Sequence, residues 1–79
     1  MWFLYILKCA DNTLYTGITT DLSRRVEEHN SSPKAAKYTR VRRPVKLVYS
    51  KKFENRSVAT QEEIKIKKLS RTDKDRLCG

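Results

Sequence analysis

Residues 2–18 read WFLYILKCADNTLYTGI, and this stretch decides the fold. Residues 2–9 are apolar and aromatic, and residues 14–18 repeat that character, which is typical of β-strands. Between them, Asp11-Asn12 favours a turn, because both side chains can bond to the local backbone and tolerate a left-handed conformation. We therefore predict that a β-hairpin opens the chain.

The length of the hairpin loop determines whether Tyr5 and Tyr15 lie on one face of the sheet. Side chains alternate between faces along a strand, so an odd loop places both tyrosines and Gly17 together, whereas an even loop separates the tyrosines. Gly17 itself is expected to have a structural role, as a site of close backbone approach. The even positions carry an apolar set that is compatible with either register: Leu4, Ile6, Leu14 and Ile18. We favour a three-residue loop, residues 11–13, because a site that uses both tyrosines requires an odd loop.

The spacing of apolar residues predicts a helix after the hairpin. Asp21 is suited to cap a helix whose apolar face carries Leu22, Val26 and His29, at i, i+4 and i+7. This helix should end near residues 30–33, and a polar loop should follow it.

In the second half of the chain, the residue pattern predicts one strand and two helices. Pro44 leads into a strand over residues 45–53, and residues 54–57 favour a turn and cap. A helix is predicted over residues 58–70, and Thr72 is expected to cap a last helix that ends at residue 77.

The predicted order β-β-α-β-α-α indicates an α+β fold, with a small three-stranded mixed sheet flanked by helices. The chain has 79 residues, which leaves room for one core, so we expect a single domain over residues 1–79.

Its longest apolar run, residues 2–7, is too short to span a membrane and lacks the flanks of a secretory signal. Cys9 and Cys78 match no metal-ligand spacing and are too few for a disulfide framework. We expect a cytoplasmic protein.

Basic residues are concentrated in one segment. The formal net charge is +9, and residues 31–53 contain eight basic residues and no acidic one. Such a segment attracts a polyanion, because each neutralised phosphate releases condensed counterions. An acidic membrane or protein surface, or simple solubility, would also account for the charge. Tyr38 lies within the segment and could stack on a base. The residues expected to bind nucleic acid are Lys34, Lys37, Tyr38, Arg40, Arg42 and Arg43.

Residues 4–6 (LYI) and 15–17 (YTG), with their tyrosines ten residues apart, resemble the two signature triplets of the GIY-YIG nuclease family. Arg25 and His29 follow on the next helix, and an alanine and a glutamate four residues apart follow at residues 59–63, as in that family. The resemblance covers nearly the whole chain and is strongest to small, free-standing bacterial members that consist of this domain only. The first triplet begins with leucine instead of glycine, which leaves its tyrosine in place.

The resemblance implies a Mg²⁺- or Mn²⁺-dependent endonuclease or nickase that uses one ion to hydrolyse phosphodiester bonds in DNA. In the family, the residues that match Tyr5 and Tyr15 hold and activate the attacking water. The match at Arg25 binds the scissile phosphate, and the match at His29 bonds within the tyrosine network and can relay a proton. The match at Glu63 ligates the metal ion. A single carboxylate suffices, because Mg²⁺ keeps several waters and accepts substrate oxygens as ligands.

Helical spacing alone does not choose between Glu62 and Glu63 as the metal ligand, since both lie near the apolar stripe of Ala59, Ile66 and Leu69. The family interval from alanine to glutamate favours Glu63. A carboxylate on an apolar stripe is costly without a partner, and that partner could be a metal ion or a basic side chain.

Two other functions are compatible with the sequence. The chain could be a non-catalytic nucleic-acid-binding module with the same fold, or a basic protein that docks on ribosomal RNA without metal. We expect DNA as the partner, with RNA as the alternative, and little sequence preference, because no second domain supplies base recognition. An unidentified targeting protein is a further candidate partner, whereas neither membrane binding nor an oligomer is predicted.

Overall fold

The computed structural model describes residues 1–78, and its long elements confirm the α+β class and the predicted order. A short helix, α2, replaces part of the expected polar loop, because the buried Thr39 anchors this segment to the interior. No helix in the described part of the chain is long and apolar enough to cross a membrane. The elements in chain order are β1 (Trp2–Lys8), β2 (Leu14–Thr19), α1 (Leu22–Ser31), α2 (Lys37–Arg40), β3 (Lys46–Phe53), α3 (Arg56–Lys67) and α4 (Arg71–Cys78).

The sheet has the strand order β2-β1-β3, with β1 in the centre. β1 pairs antiparallel with both neighbours, so the expectation of a mixed sheet is wrong. The chain crosses from β2 through α1 and α2 and places β3 along the other edge of β1. β2 and β3 therefore run in the same direction, but they do not pair with each other.

The hairpin loop is longer than predicted but has the same parity. Tyr5 lies opposite Gly17 in the β1–β2 register. The loop between the strands is residues 9–13, five residues instead of three. Asn12 has a φ of 71°, the left-handed conformation that asparagine tolerates in tight turns. Because both loop lengths are odd, the expected common face of Tyr5, Tyr15 and Gly17 is retained.

Three caps define where the helices begin. Asp21 and Asn55 each accept a backbone N–H of the following helix, and these are the N-caps of α1 and α3. The side chain of Ser70 accepts from the backbone N–H of Asp73 at 3.2 Å. Thr72 therefore lies within the first turn of α4, and its predicted role as the cap is wrong. α3 also begins and ends earlier than predicted, because the Asn55 cap starts it at residue 56.

Helices cover both faces of the sheet. On one face, Tyr5 and Leu7 pack with residues of α1, including Leu22 and Val26. The other face is closed by α3 and α4: Leu4 and Ile6 pack there against Ile66, with Cys78 at the edge of the cluster. As the middle strand of the middle layer, β1 buries residues 4–7 completely or almost completely.

Candidate active site

A buried chain of hydrogen bonds joins the central strand to the two helices on its Tyr5 face. Tyr5 Oη lies 2.9 Å from His29 Nε2, and His29 Nδ1 lies 2.6 Å from Thr39 Oγ1. All three residues have 1% or less of their surface exposed. The structure therefore brings the predicted Tyr5 and His29 into direct contact.

Thr39 was not predicted as part of this arrangement. It lies in a segment whose composition predicts a charged loop, and nothing in that sequence pattern indicates that its threonine is buried. Only the fold of α2, which turns Thr39 towards His29, reveals the contact.

Gly17 makes room for the Tyr5 ring. A Cβ atom at this position would lie 2.5 Å from Tyr5 Oη and 2.7 Å from Tyr5 Cζ. The backbone of Gly17 does not have a positive φ, so space and not backbone conformation explains the glycine. Its predicted structural role thus has a specific cause: any side chain here would push the Tyr5 hydroxyl out of place.

Tyr15 lies between the buried hydrogen bonds and the surface. Its ring centroid is 6.5 Å from that of Tyr5 and 5.2 Å from that of His29. On its outer side it stacks with Tyr38, at a centroid distance of 6.0 Å and an interplanar angle of 27°. The aromatic rings therefore form a continuous path from Tyr5 to the exposed Tyr38.

Arg25 is one helical turn before His29 on α1. Its Nη1 donates to Glu28 Oε1 at 3.0 Å and to the backbone carbonyl of Lys34 at 3.3 Å. The guanidinium also interacts with the side chain of Tyr5 and opposes the rise in the pKa of that tyrosine. Because a guanidinium has five N–H donors, Arg25 can hold these partners and still offer hydrogen bonds to a phosphate.

Burial moves the pKa values of Tyr5 and His29 in opposite directions. Desolvation raises the pKa of Tyr5 to about 12, with Arg25 opposing the rise and the charge of Glu63 adding to it. Desolvation lowers the pKa of His29 to about 4, and the positive charge of Arg25 acts in the same direction. Both side chains are therefore neutral at neutral pH.

Glu63, on α3, is the carboxylate whose charge acts on Tyr5. Its side chain is 18% exposed and lies 3.4 Å from the ammonium of Lys67, which is 55% exposed. Residues 1–78 contain no group of three side chains that could hold a metal ion by themselves. One carboxylate nevertheless fits Mg²⁺ bound jointly with substrate, because this ion commonly takes one or two carboxylates together with waters and phosphate oxygens.

The predicted nucleic-acid-binding residues differ in their surroundings. Arg43 donates from Nε to the backbone carbonyl of His29 at 2.6 Å and from Nη2 to that of Ser32 at 2.5 Å. These bonds satisfy carbonyls at the C-terminal end of α1, where a positive charge is also favourable. Arg43 thus has a structural role in the fold.

Arg42 is partly engaged, whereas the remaining basic residues are open to solvent. Arg42 Nε pairs with Asp11 Oδ2 at 3.0 Å, and its guanidinium lies 3.9 Å above the centre of the Tyr38 ring. Lys34, Lys37 and Arg40 are exposed. The exposed positive charge therefore lies on and before α2, next to the stacked tyrosines.

Comparisons with known proteins agree with this geometry. A family model described as the GIY-YIG catalytic domain matches residues 1–76. The chain is 60% identical over 73 residues to a UPF0213 protein of Desulfotalea psychrophila, covering 92% of this chain and 66% of that protein. It is 53% identical over 75 residues to a UPF0213 protein of Natronomonas pharaonis, covering 95% of this chain and 87% of the relative.

A solved structure is also similar over almost the whole chain. The solution NMR structure of a UPF0213 protein from Bacillus halodurans has 45% sequence identity and a TM-score of 0.61. The alignment covers 98% of this chain and 82% of that one. Together with the family model, this similarity confirms the resemblance first seen at residues 4–6 and 15–17: the chain belongs to the GIY-YIG nuclease family.

Proposed function

We propose that this protein is a Mg²⁺- or Mn²⁺-dependent endonuclease or nickase that hydrolyses phosphodiester bonds in DNA. The observation that carries the proposal is the buried hydrogen bond between Tyr5 and His29. It joins two residues at the family's signature positions, and Arg25 and Tyr15 lie beside it.

The pKa values of this pair determine how it can activate water. With a pKa of about 12 for Tyr5 and of about 4 for His29, the resting site holds a neutral phenol and a neutral imidazole, and transfer of a proton from one to the other in advance is unfavourable. A phenolate formed in advance is therefore too rare to act as the base. The proton transfers must accompany the attack of water.

A concerted relay meets this requirement. As the water oxygen forms its bond to phosphorus, the water gives a proton to Tyr5 Oη, and Tyr5 gives its own proton to His29 Nε2. The bond from phosphorus to the leaving oxygen then breaks, and that oxygen takes a proton from solvent. His29 returns its extra proton to solvent, so the enzyme is restored.

Arg25 and Tyr15 supply charge and position. Negative charge grows on the phosphate oxygens as water attacks, and a fixed cation close to them stabilises the transition state more than the ground state. Arg25 has free donors for this purpose. Tyr15 is half-buried beside both Tyr5 and His29, where its hydroxyl can orient the water.

Glu63 is the proposed metal ligand. When bound, Mg²⁺ or Mn²⁺ polarises phosphate oxygens and offsets their charge. Binding requires Glu63 to give up its contact with Lys67. That contact is long, and Lys67 is more than half exposed. Ion pairs of this kind at the surface contribute only about 0–1 kcal/mol to stability. The ion pair is therefore a weak competitor for a metal ion.

Nucleic acid is the proposed partner of the exposed basic residues around α2. Lys34, Lys37 and Arg40 can contact backbone phosphates, and Tyr38 offers a partly exposed ring for stacking. Phosphate contacts carry no sequence information directly. We therefore propose low sequence preference and binding that weakens as salt concentration rises.

One observation favours the alternative of a non-catalytic binding module. Tyr5 is 1% exposed, so water reaches its hydroxyl only when the surrounding side chains move. In a binding module the same buried bonds would serve only to hold α1 and α2 on the sheet.

Nicking of supercoiled plasmid with Mg²⁺ or Mn²⁺ tests the proposal. We expect activity in the parent protein and its loss in Tyr5→Phe, Arg25→Ala and Glu63→Gln. Glu62→Gln is the matched control, since it removes the neighbouring carboxylate on the same helix. Salt-sensitive binding without nicking in the parent would favour the binding module. Loss of activity only in Glu62→Gln would move the metal ligand to Glu62.

A further inference from the structure

The hydroxyl group of Thr39 has two neighbours with different chemistry. Its Oγ1 lies 3.0 Å from the backbone carbonyl of Ala36 and 2.6 Å from His29 Nδ1. A carbonyl oxygen can only accept, and a hydroxyl has a single hydrogen to donate. When Thr39 donates to Ala36, it can only accept from His29, so Nδ1 must carry the hydrogen.

The Tyr5 end of this series of hydrogen bonds independently indicates the same tautomer, with the hydrogen on His29 Nδ1. Arg25 lies beside the Tyr5 side chain, and a guanidinium donates but never accepts. Within residues 1–78, His29 Nε2 is the acceptor within hydrogen-bonding distance of the Tyr5 hydroxyl. If Nε2 carried the hydrogen instead, the buried hydrogen of the Tyr5 hydroxyl would lose its acceptor, an arrangement that proteins avoid.

From these two ends we propose that Thr39 is a positioning residue that fixes His29 as the Nδ1–H tautomer. The hydrogen bonds then all point one way: Tyr5 donates to His29, His29 donates to Thr39, and Thr39 donates to the backbone carbonyl of Ala36. A neutral imidazole has one N–H, so Nε2 keeps a free electron pair aimed at the Tyr5 hydroxyl.

The consequence for catalysis rests on the proposed function. The relay can run only if Nε2 is ready to accept the proton of Tyr5. With the opposite tautomer, Nε2–H would face Tyr5 and block the transfer. Thr39 acts through His29 and does not touch substrate, so its effect belongs to the chemical step and not to DNA binding.

NMR of the ¹⁵N-labelled full chain tests the tautomer directly, and it does so without substrate or metal. His29 is the only histidine in the sequence, so the imidazole nitrogen signals need no further assignment. We expect a protonated Nδ1 and an unprotonated Nε2 at neutral pH. A protein protonated at Nε2 would overturn the proposal.

Two variants of Thr39 separate the hydroxyl from the methyl group. Thr39→Ser keeps the hydroxyl and should keep the Nδ1–H tautomer, whereas Thr39→Val keeps the shape, removes the acceptor and should raise the Nε2–H population. An amide correlation spectrum establishes that each variant is folded. An unchanged tautomer in a folded Thr39→Val protein contradicts the role of Thr39.

The same variants report on the chemical step. General base catalysis typically contributes about 10²–10⁴-fold, which sets the largest loss that a blocked relay can cause. We expect Thr39→Val to lower kcat by at least about tenfold and by no more than that range, with KM unchanged and with recovery in Thr39→Ser. An equal kcat in the parent and in Thr39→Val would remove Thr39 from the relay. If the parent does not nick DNA but shows the Nδ1–H signal, the tautomer assignment stands and the proposed function fails.

Discussion

The two faces of β1 are both buried, but they are filled in different ways. The face of Leu4 and Ile6 is closed by apolar side chains such as Ile66, which are stabilised by burial alone. The face of Tyr5 also buries polar groups, and each of them has a hydrogen-bond partner: no buried side-chain N or O atom in the described residues lacks one. The apolar face therefore depends on how well its side chains fill space, whereas the polar face also depends on every partner in its series of hydrogen bonds.

The largest expected effect on stability is on the apolar face. Ile66→Ala should lower the free energy of unfolding by about 2–5 kcal/mol, because it removes buried methylene groups and leaves a cavity. Since Ile66 packs on the side of the sheet away from Tyr5, nicking per folded molecule should stay near that of the parent. Urea unfolding and plasmid nicking at low temperature check the two parts. A large loss of activity in the folded fraction would show that the faces are not independent.

Acid should destabilise the polar face through His29. The pKa of His29 is about 4 in the folded protein and about 6.5 in an unfolded chain. The unfolded state therefore binds more protons between these values, so stability is full above pH 6.5 and falls by about 3 kcal/mol as the pH drops to 4.

Unfolding midpoints in urea between pH 7 and 4 measure this loss. The charged groups that act on His29 are Arg25, Glu28 and Arg43. His29→Asn serves as the control because it keeps those groups. Equal pH slopes in the parent and in His29→Asn would contradict the assignment to His29.

Gly17→Ala should produce a smaller loss of stability but a large loss of nicking activity. The added Cβ would meet the Tyr5 hydroxyl at 2.5 Å, and such overpacking costs about 1–3 kcal/mol. Displacement of Tyr5 breaks its bond to His29, so we expect nicking to fall by about a hundredfold, the lower range for loss of a general base. Thr16→Ala, at the preceding buried position, is the matched control. Activity near the parental rate in Gly17→Ala would exclude Tyr5 as the base.

The smallest expected effect is at the edge of the site. Lys67→Ala removes the exposed partner of Glu63 and should change the free energy of unfolding by less than about 1 kcal/mol. Because Glu63 would no longer share its charge with an ammonium, the Mg²⁺ concentration for half-maximal nicking should fall. Lys65→Ala, which removes a lysine of the same helix, controls for the loss of charge. A higher Mg²⁺ requirement would contradict Glu63 as the ligand.

The sequence predicted the fold well because its signals are local. Apolar and aromatic runs on either side of a turn predicted the hairpin, and the Asp21 cap predicted the start of α1. The odd parity of the hairpin loop was not a local signal: it was chosen because a joint site of Tyr5 and Tyr15 requires it, and the structure has this parity. The direction of β3 was not predicted, because strand pairing depends on how the crossover returns to the sheet and not on the strand's own residues.

The candidate site was predicted only in part. Tyr5 and His29 came from their spacing and their resemblance to a family pattern, and the structure places them in contact. Thr39 and the structural role of Arg43 could not be predicted, because both depend on how residues 37–43 fold back onto α1. In the sequence alone, a basic residue that bonds to the carbonyls at the end of a helix cannot be distinguished from one that binds a phosphate.

α2 places two consecutive residues in opposite surroundings. Tyr38 faces outward among exposed basic side chains, and Thr39 is fully buried against His29. Substitutions at residues 37 and 40 should therefore be tolerated by the fold, while residue 39 is constrained as strictly as any core position. During divergence, the exposed surface of this segment can vary only in steps that leave the Thr39 hydroxyl in place, so changes on the outside of α2 are coupled to the interior of the protein.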